Sequence, residues 1–382
     1  MHLEIDTLDA FDAWAADQSN APRDCLRPGA QSGVAVQALD LTGRSTALRR
    51  ADVRGVIFLG CELTEPDTDS LLARGALVFP QLPDLPFDTY RNGMHTSEEL
   101  YAGLDRGYPE TPDARVYAWF QSPAATSLAG RLAQSLHDHG VSDALDDLLA
   151  EVAPERCVGI MGGHAAERGG ATYRDATRLG ALLAERGRVV LTGGGPGAME
   201  AANLGARLTV AGGPVDEVVL DEAVDLLAEV PGFTPPERGG QGITAWAQQA
   251  FEVLDRWPAT GTSVGIPTWF YGHEPPNVFA SHIAKYFSNA IREDVLLQRC
   301  RGGVIYLPGA AGTVQEVFQF ATGNYYLPAG AEPAPMVMVG RRHWTEHLPA
   351  FSLLQALGRD RAMGEVVHLV DSVDEALALV TD

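Results

Sequence analysis

The stretch Leu307-Pro308-Gly309-Ala310-Ala311-Gly312-Thr313-Val314-Gln315-Glu316 decides the fold class of this chain. It follows the short apolar run 303–307, and a helical pattern begins within it. A second glycine turn at 192–200 has the same setting, because it follows the apolar run 188–191 and precedes another helical pattern. A strand that ends at glycines and leads into a helix leaves backbone N–H groups that can bind an anion at the carboxyl edge of a parallel sheet. Together the two turns favour a ligand that carries phosphate.

Apolar runs and helical patterns alternate through the C-terminal part of the chain. The runs predict strands at 157–161, 188–191, 263–267, 303–307, 336–339 and 366–370. Amphipathic spacing predicts helices at 173–183, 198–207, 278–298, 312–322, 343–357 and 373–380. Strands separated by helices favour an α/β fold with a modified Rossmann-like parallel sheet, which helices cover on both faces.

The alternation is interrupted at residues 211–262. Two amphipathic helices are predicted there, at 218–230 and 243–257, with a loop rich in proline and glycine between them. One interpretation is a helical hairpin that packs on the sheet. The other is a lid over a site or a contact between subunits.

The first 150 residues differ in texture, and we predict a smaller α+β accessory domain at 1–150 and the main domain at 151–382. Within 46–65 apolar residues recur every five positions, which resembles the pentapeptide repeat of a right-handed β-helix. These residues are Leu48, Val53, Phe58 and Leu63. About four such units make one coil, so only a short local ribbon is expected.

Composition excludes several classes of protein. The 382 residues are 46% hydrophobic and 20% charged, which is ordinary for a globular protein with a full core. The formal net charge of −22 repels nucleic acids and anionic membranes, and the chain has a single lysine, Lys285. We therefore expect neither a nucleic acid polymer nor a membrane as partner. A small anion can still bind locally, through backbone N–H groups and a few arginines.

The cysteines and the N-terminus favour a cytoplasmic protein. The four cysteines are far apart and form no CxxC pair, so neither a zinc cluster nor a disulfide framework is expected. They are Cys25, Cys61, Cys157 and Cys300. Residues 1–6 lack the basic start and apolar run of a signal peptide. No apolar stretch approaches the ~18 residues that a membrane helix needs.

Four segments in a fixed order resemble those of a known superfamily. They are Gly162-Gly163-His164, Gly193-Gly194-Gly195-Pro196-Gly197-Ala198-Met199-Glu200-Ala201, Glu274-Pro275-Pro276-Asn277 and Pro308-Gly309-x-x-Gly312-Thr313-x-x-Glu316. The order is similar to that of the LONELY GUY (LOG) superfamily, with its lysine decarboxylase-like Rossmann fold, and is closest to the nucleotide 5′-monophosphate nucleosidases. The resemblance covers about residues 155–340. It implies a phosphoribohydrolase that cleaves the N-glycosidic bond of a nucleoside 5′-monophosphate, without a metal or other cofactor.

The resemblance also implies roles for individual residues. The loop 308–313 would hold the 5′-phosphate, and the turn 193–197 would approach the ribose or phosphate from the adjacent strand end. Glu316 would stabilise the sugar cation or activate water as the bond breaks, and Arg292 is the candidate for the catalytic arginine of the family. The predicted substrate-binding residues are Gly162, Gly163, His164, Gly193, Gly194, Gly195, Gly197, Met199, Glu200, Asn203, Asn277, Pro308, Gly309, Ala310, Ala311, Gly312 and Thr313.

The two catalytic assignments have structural alternatives. Glu316 could be an acid that only the dipole of the helix N-terminus favours. Arg292 could be a surface arginine, because its spacing to Pro308 is about one residue longer than expected, and Arg299 and Arg301 are then further candidates.

Six other positions have a structural alternative or depart from the family pattern. His164 could cap a turn, Asn277 could cap a following helix, and Glu200 and Asn203 could serve only in helix capping. Ala310 stands where the motif usually has glycine and adds a methyl group beside the phosphate. Gln315 stands where many members have glutamate.

Two other functions remain open beside hydrolysis. The same loops could serve a non-catalytic protein that binds or senses nucleotides. An NAD-dependent dehydrogenase is disfavoured, because the turn at 193–197 follows the second strand of its domain and no acidic residue ends the next strand at the usual spacing.

A homodimer is expected, because LOG relatives are typically dimers with active sites near the interface. The predicted helix 278–298 is apolar over a broad face, and such helices are buried on two sides. Its apolar residues are Phe279, Ile283, Tyr286, Phe287, Ile291 and Val295. The N-terminal domain or the insertion 211–262 is the alternative cover for this face. Light scattering at micromolar concentration should give twice the chain mass of 40.8 kDa, and the mass of one chain would reject the dimer.

Overall fold

A computed structural model gives the fold and describes residues 3–20, 33–235, 238, 240–258, 260–271, 274–328 and 330–381. The chain divides into two compact units. Unit 1 consists of Met1–Gly93 and Pro123–Gly140, and unit 2 consists of Met94–Ser122 and Val141–Asp382. Residues 94–122 and 141–150, which the prediction assigned to the N-terminal domain, group with unit 2.

Unit 1 is built on a four-stranded parallel sheet. Its strands, in spatial order, are β1 (Leu3–Ile5), β2 (Val34–Gln37), β3 (Ile57–Leu59) and β4 (Leu77–Phe79). The helices α1 (Leu8–Asn20), α2 (Ser45–Arg50) and α3 (Glu65–Ala73) alternate with these strands along the chain. Helix α6 (Pro123–Thr126) and residues 128–140 of α7 (Leu128–Leu149) also belong to this unit. The strands are therefore parallel where an α+β arrangement was expected.

The pentapeptide ribbon predicted at 46–65 is wrong. The segment contains most of α2 and all of β3. Leu48 is buried on α2, Val53 in the connection and Phe58 on β3. The period of five therefore comes from successive elements of a β-α-β arrangement that each place one side chain in the same core.

Unit 2 contains a seven-stranded parallel sheet. Its strands are β5 (Cys157–Met161), β6 (Val189–Thr192), β7 (Ser263–Gly265), β8 (His282–Ile283), β9 (Val304–Tyr306), β10 (Met336–Val339) and β11 (Val367–Val370). The spatial order is β11-β10-β9-β5-β6-β7-β8. Strands β5 and β10 are buried along their whole length, as expected of a sheet that helices cover on both faces. The predicted Rossmann-like α/β fold is confirmed.

The helices of unit 2 precede these strands, lie between them or, for the last helix, follow β11 along the chain. They are α4 (Ser97–Leu100), α5 (Pro112–Phe120), α8 (Ala171–Glu185), α9 (Ala198–Leu208), α10 (Glu217–Leu227), α11 (Gly242–Arg256), α12 (Asn289–Arg299), α13 (Ala311–Tyr325), α14 (Ala350–Gly358) and α15 (Val373–Thr381). A π-helix covers His343–His347. Helices α10 and α11 are the two helices predicted in the insertion 211–262. Among the helices described, none is long and apolar enough to span a membrane.

The helix predicted at 278–298 is wrong over its first half. Strand β8 pairs with β7 in this segment, and α12 begins only at Asn289. The carboxamide oxygen of Asn277 accepts hydrogen bonds from the N–H groups of Phe279 and Ala280, both at 3.1 Å. Asn277 therefore holds a turn that leads into β8.

The apolar face expected of that helix is not formed. Four of its six apolar residues lie in the turn, in β8 or in the segment before α12, and each is at most 2% exposed. These four are Phe279, Ile283, Tyr286 and Phe287. Ile291, on α12 itself, is 46% exposed. The homodimer stays a prediction, but this surface no longer supports it.

A buried ion pair holds α5 to the sheet of unit 2. Nζ of Lys285 lies 2.5 Å from Oδ1 of Asp113, and the two side chains are 2% and 1% exposed. The same carboxylate accepts hydrogen bonds from Nε1 of Trp269 (2.9 Å) and from the hydroxyl of Tyr108 (2.8 Å). This network explains why residues 94–122 group with unit 2.

Asp113→Ala should lower the free energy of unfolding of unit 2 by about 3–5 kcal/mol, because it leaves the buried ammonium of Lys285 without its counter-ion. Urea unfolding followed by tryptophan fluorescence measures the effect. Asp105→Ala, which removes an exposed carboxylate, is the control and should change stability by less than ~0.5 kcal/mol. Equal stability of the two variants would contradict the assignment.

Candidate active site

The strand order of unit 2 creates a crevice between β5 and β9. From β5 the chain continues to β6, β7 and β8 on one side, and it returns to β9 on the other side. At such a point the loops after the two neighbouring strands separate, and ligands of open α/β sheets bind between them. A cavity of about 680 Å³ is lined by residues 162–166, which follow β5, and by 308–313, which follow β9.

The loop between β9 and α13 presents a helix N-terminus to this cavity. Ala310 is exposed and directly precedes the first residue of α13. The first N–H groups of a helix have no partner within it, and the helix dipole favours an anion there. A Cβ on Gly309 would lie 2.2 Å from Oγ1 of Thr313, so glycine is needed for this close turn. The N–H of Gly163 donates to the carbonyl of Pro308 (3.2 Å) and joins the two loops.

Two buried glutamates flank the guanidinium of Arg292 in the cavity. Nη1 of Arg292 lies 3.4 Å from Oε1 of Glu316 and 3.2 Å from Oε2 of Glu293. Burial and the charge of Glu293 raise the pKa of Glu316 to about 8, against the opposing charge of Arg292. Burial also raises the pKa of Glu293, and Arg292 again opposes the shift. One guanidinium thus faces two carboxyl groups, and the pair retains a proton at neutral pH.

Glu293 is a site residue that the sequence did not predict. Helix α12 begins at Asn289, with the hydroxyl of Ser288 accepting a hydrogen bond from the N–H of Ile291 (3.4 Å), so Arg292 and Glu293 lie near its N-terminus. Nε of Arg292 is buried and has no hydrogen-bond partner among the described residues, and the buried Oε2 of Glu293 has only its 3.2 Å ion pair with Nη1 of Arg292. Such atoms are rare in folded proteins, and both side chains line the cavity. The sequence signal for Glu293 is its position next to Arg292.

His164 and Glu274 form a second polar pair on the cavity wall. Nδ1 of His164 lies 3.0 Å from Oε1 of Glu274. This hydrogen bond raises the pKa of His164, although burial acts in the opposite direction. The segment 274–277 therefore contributes Glu274 to the cavity, whereas the sequence predicted Asn277.

Most of the predicted residues line this cavity. They are Gly162, Gly163, His164, Gly193, Met199, Arg292, Pro308, Gly309, Ala310, Ala311, Gly312, Thr313 and Glu316. A Cβ on Gly193 would lie 3.6 Å from Nη1 of Arg292, so the glycine turn after β6 reaches the charged cluster. Of the other arginines considered, Arg299 bonds to Asp146 instead, with Nε 3.0 Å from Oδ1. The structure thus places Arg292, and not Arg299, beside Glu316.

Two predicted asparagines support the glycine turn from behind the cavity. Nδ2 of Asn277 donates to Oδ1 of Asn203 (3.0 Å) and to the carbonyl of Gly195 (3.2 Å). Oδ1 of Asn203 also accepts a hydrogen bond from the hydroxyl of Thr192 (2.7 Å). Both asparagines are fully buried, and their observed contacts are structural.

The predicted glycines that do not line the cavity allow close approaches of the backbone. Gly194 has φ of 68°, and a Cβ there would lie 2.6 Å from Cδ of Pro267. Gly197 has φ of 74°, and a Cβ there would lie 2.5 Å from the carbonyl oxygen of Gly163. A Cβ on Gly195 would lie 3.0 Å from Cε of Met199. The last predicted residue, Glu200, forms an ion pair with Arg168 beyond the cavity wall.

Comparison with known proteins supports the resemblance. Residues 155–215 match the model of the SLOG cluster4 family. This segment is SLOG-like. LOG is part of the SLOG superfamily, so the expected LOG-like relationship is confirmed over these residues. The SLOG superfamily includes enzymes, and the match suggests nucleotide-related binding.

The chain was also compared with curated protein sequences and with solved structures. No curated protein sequence matches the chain. Among solved structures, a molybdenum cofactor binding protein from the phototrophic bacterium Rippkaea orientalis is similar, with 17% identity over 59% of this chain and 94% of that chain, and a TM-score of 0.36.

Glu293→Gln should raise the melting temperature at pH 8.5 by about 3 °C and leave it unchanged at pH 4. The pKa of Glu293 is raised in the folded state, so the stability that its protonated form contributes is present below the unfolded pKa and is lost as the pH rises through the folded one. Glutamine keeps the shape of the protonated acid and avoids this loss. Calorimetry between pH 4 and 9 measures the difference, with the exposed Glu365→Gln as control. A gain in stability that does not grow with pH would contradict the charge cluster.

Proposed function

We propose that the protein hydrolyses the N-glycosidic bond of a nucleoside 5′-monophosphate to a free base and ribose 5-phosphate. The observation that carries the proposal is a single cavity with a helix N-terminus on one wall and the Arg292–Glu293–Glu316 cluster on another. The first suits a phosphate, and the second suits a sugar carbon that becomes positive. The SLOG-like segment 155–215 supports the same class of ligand.

The phosphate end of the ligand belongs at 308–313. The N–H groups at the start of α13 point a partial positive charge at this loop, which is how helix N-termini bind phosphate. Thr313 offers a hydroxyl in the same turn and is 5% exposed. The methyl group of Ala310 is compatible with this role, because Ala310 is exposed.

The reacting end of the ligand belongs beside Glu316. In the reaction the bond between C1′ and the base nitrogen breaks, and its electron pair leaves with the base. A water oxygen bonds to C1′, and the water protons end on the sugar hydroxyl and the base nitrogen. Ionised Glu316 stabilises the oxocarbenium-like state or accepts the water proton. Arg292 holds Glu316 in place through their 3.4 Å contact.

The experiment that tests the proposal is incubation with AMP, GMP, CMP and UMP, followed by an assay for ribose 5-phosphate. Release of ribose 5-phosphate from at least one of them is expected. A protein that binds these nucleotides in calorimetry but releases none would be a nucleotide-binding or sensing protein instead.

Glu316→Gln should lower turnover of the preferred nucleotide by at least ~100-fold while nucleotide binding is kept, because the ionised carboxylate is needed as the bond breaks. Glu332→Gln, which removes an exposed carboxylate, is the matched control and should keep full activity. Steady-state kinetics and calorimetry on both variants measure the two effects. Unchanged turnover in Glu316→Gln would remove Glu316 from the mechanism.

The pH dependence of the wild type should show Glu316 in its ionised form. Since burial raises its pKa to about 8, kcat/KM should rise about tenfold per pH unit from pH 6.5 and level off above pH 8. The substrate phosphate is already mostly a dianion in this range. A fall in kcat/KM above pH 8 would show instead that Glu316 acts in its protonated form, as a general acid.

A further inference from the structure

A second cavity of about 290 Å³ adjoins the candidate active site. Residues 164–166 line both cavities, so they form the rim between the two. The rest of the second wall comes from 167–168, from Pro196, Gly197 and Glu200 at the start of α9, and from 231–234 and Trp246 of the insertion. The two cavities are therefore direct neighbours along residues 164–166.

The ion pair in the second wall is internally neutral. Nε of Arg168 lies 3.2 Å from both carboxylate oxygens of Glu200, and each side chain is 1% exposed. Nη1 of Arg168 also donates to the carbonyl of Trp246 (2.9 Å). The backbone N–H of Arg168 donates to the carbonyl of Pro231 (3.1 Å). With its charge compensated, Arg168 offers little to a phosphate. The exposed Glu167 also lines this cavity and adds a carboxylate, so the second cavity repels a phosphate and suits an uncharged part of a ligand.

Two aromatic side chains, Phe233 and Trp246, lie in this otherwise partly polar wall. The Arg168 guanidinium lies over the ring of Trp246, 4.5 Å from its centroid. The rings of Phe233 and Trp246 meet at 68°, with centroids 6.1 Å apart. Trp246 is 1% exposed and belongs to the core, whereas Phe233 is only partly buried. Of the two rings, Phe233 is thus the one that lines the cavity with surface left to contact a ligand.

The geometry points to the second cavity as the site of the nucleobase, with Phe233 as the ring on which the base stacks. This inference rests on the proposed function, because it takes the phosphate to lie at 308–313. An uncharged planar heterocycle can stack on the Phe233 ring, and its edge polar groups meet the wall formed by 164–168. The insertion 211–262 then supplies the ring that stacks on the base, and the segment 164–168 supplies the polar contacts to its edge.

The test compares two ligands that differ only in the base. Calorimetry gives Kd for ribose 5-phosphate and for whichever of AMP, GMP, CMP and UMP binds the wild type most tightly. Phe233→Ala should weaken the nucleotide about tenfold and leave ribose 5-phosphate within about twofold. Phe233→Tyr keeps the ring and should restore the nucleotide affinity. Tyr326→Ala, which removes a ring that is 76% exposed, should change neither.

The possible outcomes separate this inference from the proposed function. Unchanged nucleotide affinity in Phe233→Ala, or equal weakening of both ligands, would overturn the base site even if the wild type hydrolyses nucleotides. If Phe233→Ala weakens only the nucleotide but the wild type releases no ribose 5-phosphate, the base site is supported and the proposed hydrolysis is rejected. A wild type that binds neither ligand would overturn both.

Discussion

The central physical constraint in unit 2 is the burial of two carboxyl groups beside one guanidinium. Removing charges from water is costly, and one arginine can compensate only one carboxylate. With Nη1 of Arg292 within 3.4 Å of both Glu293 and Glu316, the cluster reduces this cost by keeping a proton. A buried cluster of this kind does not favour stability. The cluster lines the cavity at the crevice between β5 and β9, so its burial serves the site rather than the core.

The sequence predicted well those parts of unit 2 whose structure is determined by residues close together in the sequence. The strand predicted at 157–161 and the one at 336–339 match β5 and β10 residue for residue, because fully buried parallel strands are continuous apolar runs. The loop 308–313 lies at the cavity because glycine spacing and the following helix fix its conformation. Arg292 and Glu316 meet because both lie near the N-termini of helices that flank β9.

The parts that were missed depend on tertiary contacts. Apolar residues spaced as on a helix at 278–287 are buried in a turn and a short strand, so their periodicity carried no information about a helix. Because the helix was predicted to start at 278, Glu293 was not recognised as a site residue. Its position near a helix N-terminus depends on α12 starting at Asn289. In unit 1 a period of five arose from a helix, a connection and a strand that each place one side chain in the same core. The second cavity could not be predicted from the sequence, because Phe233 and Trp246 come close to Arg168 only in the folded chain.

The acidic character of the chain makes the protonation of this cluster important for phosphate binding. With a formal net charge of −22, the protein as a whole repels a phosphate dianion. The cluster of Arg292, Glu293 and Glu316 is neutral while one proton remains and carries one negative charge when both acids ionise. A bound dianion therefore raises the pKa of Glu316 further. Because the two effects are reciprocal, ionisation of Glu316 in turn lowers the affinity of the site for the dianion. The ionised form that the chemistry needs is thus the form that binds phosphate less well, which leaves the helix N-terminus at 308–313 as the attraction that does not change with pH.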